Sequence, residues 1–240
     1  MTLFFKRNDQ QCKPRSLLPV LLITGCLMAS WLTVSSAHNS AASSASTSAI
    51  SGHAEVYLPD AEADPDQVVT ALEQALLYIM QLPDADTADR AAVLQPVLRR
   101  TFDFARMSRF IFGPRWQTFS IAQQEQFIHA LLELSCASYA ANFASYDEEH
   151  FTALNRNESE IDSSSDRIRI NRRLITNKQS VVFNYALTRT DQGWQIANIM
   201  AKGVSDLALK RSQYSKLYDE GGVNAVLSYI AAETERLYSS

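Results

Sequence analysis

The chain is predicted to be an α+β protein in which one mainly antiparallel sheet of about four strands is covered by helices from both ends of the chain. Three observations predict this. Apolar residues recur at helical spacing from Pro65 to about Tyr146, switch to strand spacing between Phe151 and Met200, and return to helical spacing after Gly203. Segregated runs of this kind argue for a sheet with one face under helices rather than for alternating strands and helices. The 240 residues carry 46% hydrophobic side chains, 7 Gly, 7 Pro and 3 Cys. That composition excludes a collagen-like chain, a disulfide-dense scaffold and a wholly disordered protein.

The folded domain is expected over residues 65–240. Asp64 can cap a helix that Pro65 opens, with Val68, Val69, Leu72, Leu76, Ile79 and Met80 on its apolar face until Leu82-Pro83 stops it. A second helix runs from Thr87 to about Arg100, and Pro96 inside it predicts a kink or a split. A short aromatic helix through Phe102, Phe104, Met107, Phe110, Ile111 and Phe112 ends at Gly113-Pro114, with Trp116 just beyond. Ser120 and Gln123 form a capping-box start for the longest helix, which is read as far as Tyr146 and carries Phe127, Ile128, Leu131, Leu132, Tyr139 and Phe143.

Four strands follow: Phe151 to Leu154, Arg167 to Ile175, Val181 to Thr188 and Trp194 to Met200. Asp191-Gln192-Gly193 is a tight-turn signal that makes the last two an antiparallel hairpin. After Gly203, Leu207, Tyr214, Leu217 and Tyr218 describe a helix that Gly221-Gly222 interrupts and Val223, Val226, Leu227 and Ile230 resume.

The N-terminus describes an export signal. Lys6, Arg7, Lys13 and Arg15 precede the apolar stretch Leu17 to Val34, and Ser35-Ser36-Ala37 supplies small residues for cleavage, so residues 1–37 are read as a signal peptide and the location as the periplasm. Ile23-Thr24-Gly25-Cys26 opens an alternative, a lipoprotein anchored through Cys26, although the apolar run continues past it to Trp31 and Val34. Residues 38–64, rich in Ser and Ala, are read as a flexible tether. Cleavage at Ala37 removes four of the 22 basic residues and one of the 26 acidic ones, leaving 18 against 25. An acidic exported chain is a poor nucleic-acid partner. With Cys12 and Cys26 lost, Cys136 stands alone and no intramolecular disulfide can form.

No catalytic signature is present: G-x-S-x-G, the phosphate-binding G-x-x-x-x-G-K-S/T, H-E-x-x-H and C-x-x-C are all missing. His129 shares a helical stripe with Glu125 and Glu133, which reads as a solvated polar face unless other helices add ligands. Ser205-Asp206 reads as a helix cap, and Cys136 as a small buried apolar residue. Arg167, Arg169, Arg172 and Arg173 read as a solvated sheet edge, or else as a docking patch for an acidic partner or a lipid phosphate. Asp103, between two phenylalanines, calls for a neutralising arginine among Arg99, Arg100, Arg106 and Arg109. The aromatic block from Phe102 to Phe127 is either a packed core or the wall of an apolar cavity.

Phe102-Asp103-Phe104, Met107, Phe112-Gly113, Trp116 and Gln124 to Phe127, followed by Tyr139, Tyr185, Trp194-Gln195-Ile196, Gly203-Val204-Ser205, Arg211, Tyr214 and Gly221, resemble the toluene-tolerance or MlaC-like family of periplasmic lipid carriers. The resemblance covers about Val68 to Leu237, and the wording from Gly203 to Ser212 looks closest to the hopanoid-associated HpnM branch. Ile199-Met200-Ala201-Lys202 departs from the family pattern, and the loop at Ser163 to Ser165 is long for it.

The resemblance implies a cavity between sheet and helices that holds a phospholipid or hopanoid. It also implies a membrane lipid transporter with an MCE-type or related periplasmic component as partner, no cofactor and no enzymatic activity. Two chains of about sixteen carbons resist leaving a membrane by roughly 25 kcal/mol, so a carrier must offer comparable apolar surface. The residues implied to supply it are Phe102, Phe104, Met107, Phe110, Ile111, Trp116 and Phe127 on the aromatic block. Leu131, Tyr139 and Phe143 follow on the long helix, and Phe183, Tyr185, Trp194 and Val204 on the sheet side. The competing reading is an enzyme or small-ligand binder on a similar cone-shaped fold, acting through His129 or His150 with a carboxylate.

Overall fold

The computed structural model describes residues 58–82, 84–154 and 166–239; the expected signal peptide, residues 38–57 of the expected tether and the Ser163 to Ser165 loop lie outside them. Helix α1 (Pro65–Met80) opens with a reciprocal capping box in which Asp64 accepts from the Gln67 N–H and the Gln67 side chain accepts from the Asp64 N–H. Just before it, the Arg100 guanidinium donates to the carbonyls of Pro59 and Asp60 at 3.2 and 2.8 Å. The last residues of the expected tether are therefore fastened to the domain.

Helix α2 (Thr87–Thr101) runs through Pro96 without splitting. The proline withholds one N–H, but Val93, Leu94, Val97 and Leu98, on both sides of it, are fully buried where α2 packs on its neighbours, and that burial outweighs the lost bond. Helix α3 (Phe104–Phe112) is capped by Asp103, and a 3₁₀ turn (Gly113–Thr118) leads to α4 (Ile121–Asn142). Helix α4 stops four residues short of Tyr146 because Phe143 leaves helical geometry, at φ −113° and ψ 51°, with its ring buried.

Among the described residues the sheet has five strands rather than about four: β1 (His150–Ala153), β2 (Arg167–Ile175), β3 (Ser180–Thr190), β4 (Gly193–Ala201) and β5 (Val204–Ser205), in that spatial order and antiparallel throughout. β5 is a two-residue strand with no alternation to betray it. The β3–β4 turn is the one predicted at Asp191-Gln192-Gly193. Gly193 sits at φ +96°, and a Cβ there would lie 2.5 Å from the Ala61 carbonyl oxygen, so the turn and the docked N-terminal segment both require glycine.

Leu187 faces Ile196 while Ala186 faces Asn198, so Ala197 is an extra residue on β4. This bulge reverses the alternation along the strand and turns both Ile196 and Ile199 toward the helices. Helix α5 (Asp206–Tyr238) closes the fold, with Ser205 as its cap, and breaks at Gly221-Gly222 as the sequence predicts. Gly222 adopts φ +68° and ψ −163°, a region open essentially to glycine alone.

Candidate functional site

The junction between α2 and α3 is stitched onto β4. The Asp103 N–H donates to the Ile196 carbonyl at 3.0 Å, and the Gln195 amide donates to the carbonyls of Arg100 and Phe102, both at 3.3 Å. These bonds hold Phe102 against the sheet, stacked on Phe104 at 5.6 Å and 6.2 Å from Tyr139 of α4. Asp103 is neutralised by Arg106 at 3.1 Å, which satisfies the expected carboxylate partner.

Beside Phe102 lies a largely enclosed cavity of about 40 Å³ between sheet and helices. Phe102, Met107, Tyr139 and Phe183 form its apolar wall together with Ile199 and Leu207. Its polar wall is made by Ser135 and Ser138 of α4, Asn198 of β4, and Asp206 and Lys210 of α5. Lys210 is buried, its side chain 9% exposed, and its Nζ lies 2.6 Å from the Asp206 carboxylate. Burial, and after it the Asp206 carboxylate, push the Tyr139 hydroxyl well above its ordinary pKa, so it stays a neutral donor.

On the outer side of Phe102 an open groove of about 630 Å³ is bordered by Arg99, Arg106, Arg109 and Arg189. Phe102 borders both spaces.

The residues drawn from the sequence separate into several places. Phe102, Met107, Tyr139 and Phe183 line the enclosed cavity, and Phe104 lines the groove. Trp116 and Phe127 belong instead to a second aromatic cluster centred on Phe112, whose ring lies 6.1 and 4.7 Å from theirs. Ile111 and Leu131 are fully buried core. Phe143 packs on Tyr139 at 6.1 Å and Tyr185 on Phe183 at 6.2 Å, both behind the cavity wall. Phe110 is 45% exposed under the Arg211 guanidinium, Val204 is 42% exposed, and Trp194 lies on the hairpin with the Arg189 guanidinium over its ring. The sequence reading passed over the polar wall, although Asp206 and Lys210, four residues apart on one helical face, carried a signal for it.

The remaining chemical candidates lie apart from the enclosed cavity. His129 is exposed on α4, 3.9 Å from Glu133, and borders the open groove together with Glu125, whereas His150 is exposed on β1; neither lines the enclosed cavity. No group of three or more His, Cys, Asp or Glu side chains among the described residues can hold a metal. Cys136 is buried, and burial pushes its thiol far above the reactive range. Arg172 is not on a solvated edge, because β2 is interior and Arg172 points under α1, where it binds Asp66 at 2.7 Å and Glu73 at 3.3 Å. Among the described residues no helix is long and apolar enough to cross a membrane.

The same fold occurs in the phospholipid-binding protein from Ralstonia solanacearum, whose structure was solved in complex with a phospholipid. The TM-score is 0.65 at 17% identity, over 73% of this chain and 99% of that one. No curated protein matches the chain. The family model described as MlaC protein matches residues 68–232, well over half of the sequence, and the chain accordingly belongs to the MlaC family.

Proposed function

We propose that this protein is an exported lipid carrier that takes the acyl chains of one phospholipid between its sheet and its helices. It would carry that lipid across the periplasm for a membrane lipid transporter with an MCE-type or related component. The observation that carries the reading is the enclosed apolar wall of Phe102, Met107, Tyr139 and Phe183, in a fold shared with a protein solved with a phospholipid bound. The chemistry is burial without covalent change, each methylene being worth about 0.8 kcal/mol.

A cavity of about 40 Å³ has room for a few waters, whereas drug-sized ligands occupy about 300 Å³ or more. Loading therefore requires the helices to move off the sheet. The break at Gly221-Gly222 gives α5 a place to bend, because the helical ladder is interrupted there. A phospholipid is the cargo favoured here, with a hopanoid as the alternative that the resemblance raises.

The test is transfer of a labelled phospholipid between donor and acceptor vesicles that cannot fuse. The full chain is expected to extract lipid stoichiometrically and to raise the transfer rate in proportion to its concentration. A folded protein that extracts nothing overturns the reading.

A further inference from the structure

Lys210 stands out among the cationic side chains bordering the two spaces. The groove arginines Arg99, Arg109 and Arg189 are exposed to water, whereas Lys210 is buried on the wall of the enclosed cavity and faces it alongside Phe102, Met107 and Leu207. An ammonium in such a place needs an anion, and Asp206 supplies one at 2.6 Å from the preceding helical turn. The pair is not sealed in symmetrically, since the Asp206 side chain is 22% exposed against 9% for Lys210. The carboxylate can therefore move toward water while the ammonium stays with the cavity.

Polar as well as apolar residues surround the pair. Ser135, Ser138 and Asn198 border the same wall, the Ser135 hydroxyl donating to the Leu131 carbonyl at 2.7 Å and the Asn198 Oδ1 accepting from Ser205 at 2.9 Å, and the Tyr139 hydroxyl remains neutral. Asp206 and Leu207, in the first turn of α5 that Ser205 caps, border the same cavity. A hydrophobic carrier for an uncharged lipid has no use for a buried ammonium, whose desolvation is expensive.

We propose that Lys210 is the phosphate anchor of the cavity and that Asp206 is the anion it exchanges, so that loading replaces a carboxylate partner by the phosphodiester of the lipid. The proposal rests on the carrier reading and deepens it, making the phosphate, rather than the acyl chains, the group by which cargo is selected. The ammonium donates to the phosphate oxygens, the Asp206 carboxylate swings out to water, and no covalent bond changes.

The experiment offers the full chain vesicles containing equal amounts of phosphatidylglycerol and of diacylglycerol with the same acyl chains, then extracts the lipid bound to the separated protein. Wild-type protein is expected to hold the phospholipid in about tenfold excess or more, the scale of one charge-assisted contact. Lys210→Met should bring the ratio close to one while diacylglycerol uptake persists, and Lys210→Arg should retain the preference. Asp206→Asn, which removes the competing anion, should raise phospholipid loading.

A structural ion pair predicts instead that Lys210→Met and Asp206→Asn lower loading alike, and that result overturns the proposal, as does a folded Lys210→Met variant that keeps the wild-type ratio. Millimolar inorganic phosphate should leave loading unchanged; displacement of the lipid would mean that the site serves free phosphate and would overturn the lipid assignment. Wild-type protein that takes up neither lipid refutes the carrier reading itself, whereas equal uptake of both refutes only the anchor.

Discussion

The Arg172 guanidinium of β2 lies 3.3 Å from the Glu73 carboxylate of α1, with both side chains 7% exposed, yet it binds Asp66 more closely, at 2.7 Å. Glu73 is left with one carboxylate oxygen, Oε1, that has no hydrogen-bond partner. Desolvation outweighs the attraction of Arg172, and the neighbouring Asp66 charge adds to it, so the Glu73 pKa is pushed up from 4.5 to about 7. Tyr185 of β3 faces the same carboxylate and, being buried, stays neutral.

A carboxyl with a raised folded-state pKa holds a proton that the unfolded chain has already released. The contribution of Glu73 is therefore greatest below pH 4.5, falls as pH rises, and levels off above about pH 7. The difference amounts to about 3 kcal/mol at most. Urea unfolding at pH 5 and pH 8 should show wild-type protein losing more stability over this interval than Glu73→Gln. Equal losses in the two proteins would mean that Glu73 is ionised throughout.

Phe127 should matter for folding and not for cargo. Its ring is fully buried, 4.7 Å from Phe112 and 6.1 Å from Tyr214, and it does not line the enclosed cavity. Phe127→Ala should cost about 3–5 kcal/mol, read as a lower urea midpoint, with lipid bound per folded molecule unchanged. Specific loss of lipid without loss of stability would move Phe127 into the site.

Gly222 should resist substitution for backbone reasons alone. A Cβ there meets nothing within 4 Å, but φ +68° with ψ −163° is strained for any other residue. Gly222→Ala should destabilise by about 1–3 kcal/mol and slow lipid exchange by altering the break in α5. A neutral effect on both would show that the chain relaxes freely at this point.

Phe102 should act as a partition. Phe102→Ala would join the enclosed cavity to the arginine-bordered groove, and the rate at which bound lipid exchanges with vesicles should rise while the amount bound at saturation stays close to wild type. An unchanged exchange rate would indicate that lipid enters elsewhere.

Much of the fold was legible because single periodicities dominated it. Residues such as Val181, Phe183, Tyr185 and Leu187 alternate without interruption, and the capping residues Asp64, Ser120 and Ser205 each perform the expected role. The bulge at Ala197 was not legible, because an extra residue in a strand leaves the local composition unchanged and appears only in the pairing with β3.

The site was read less completely for a related reason. An aromatic side chain that lines a cavity and one that fills a core obey the same spacing, so Phe102 and Phe127 could not be told apart before their neighbours were known. The burial of Arg172 was likewise hidden in a run of four arginines, because its own partners Glu73 and Asp66 lie about a hundred residues away in sequence.

The most direct test of the central claim is native mass spectrometry of the full chain, exported from a Gram-negative host and purified without detergent, beside the cavity-filling variants Met107→Trp and Ala201→Leu. One lipid-sized mass increment per wild-type chain is expected, identified by extraction as a phospholipid and reduced in both variants, although overpacking costs them only about 1–3 kcal/mol of stability. Folded wild-type protein without the increment, or an increment that both variants retain in full, would contradict it.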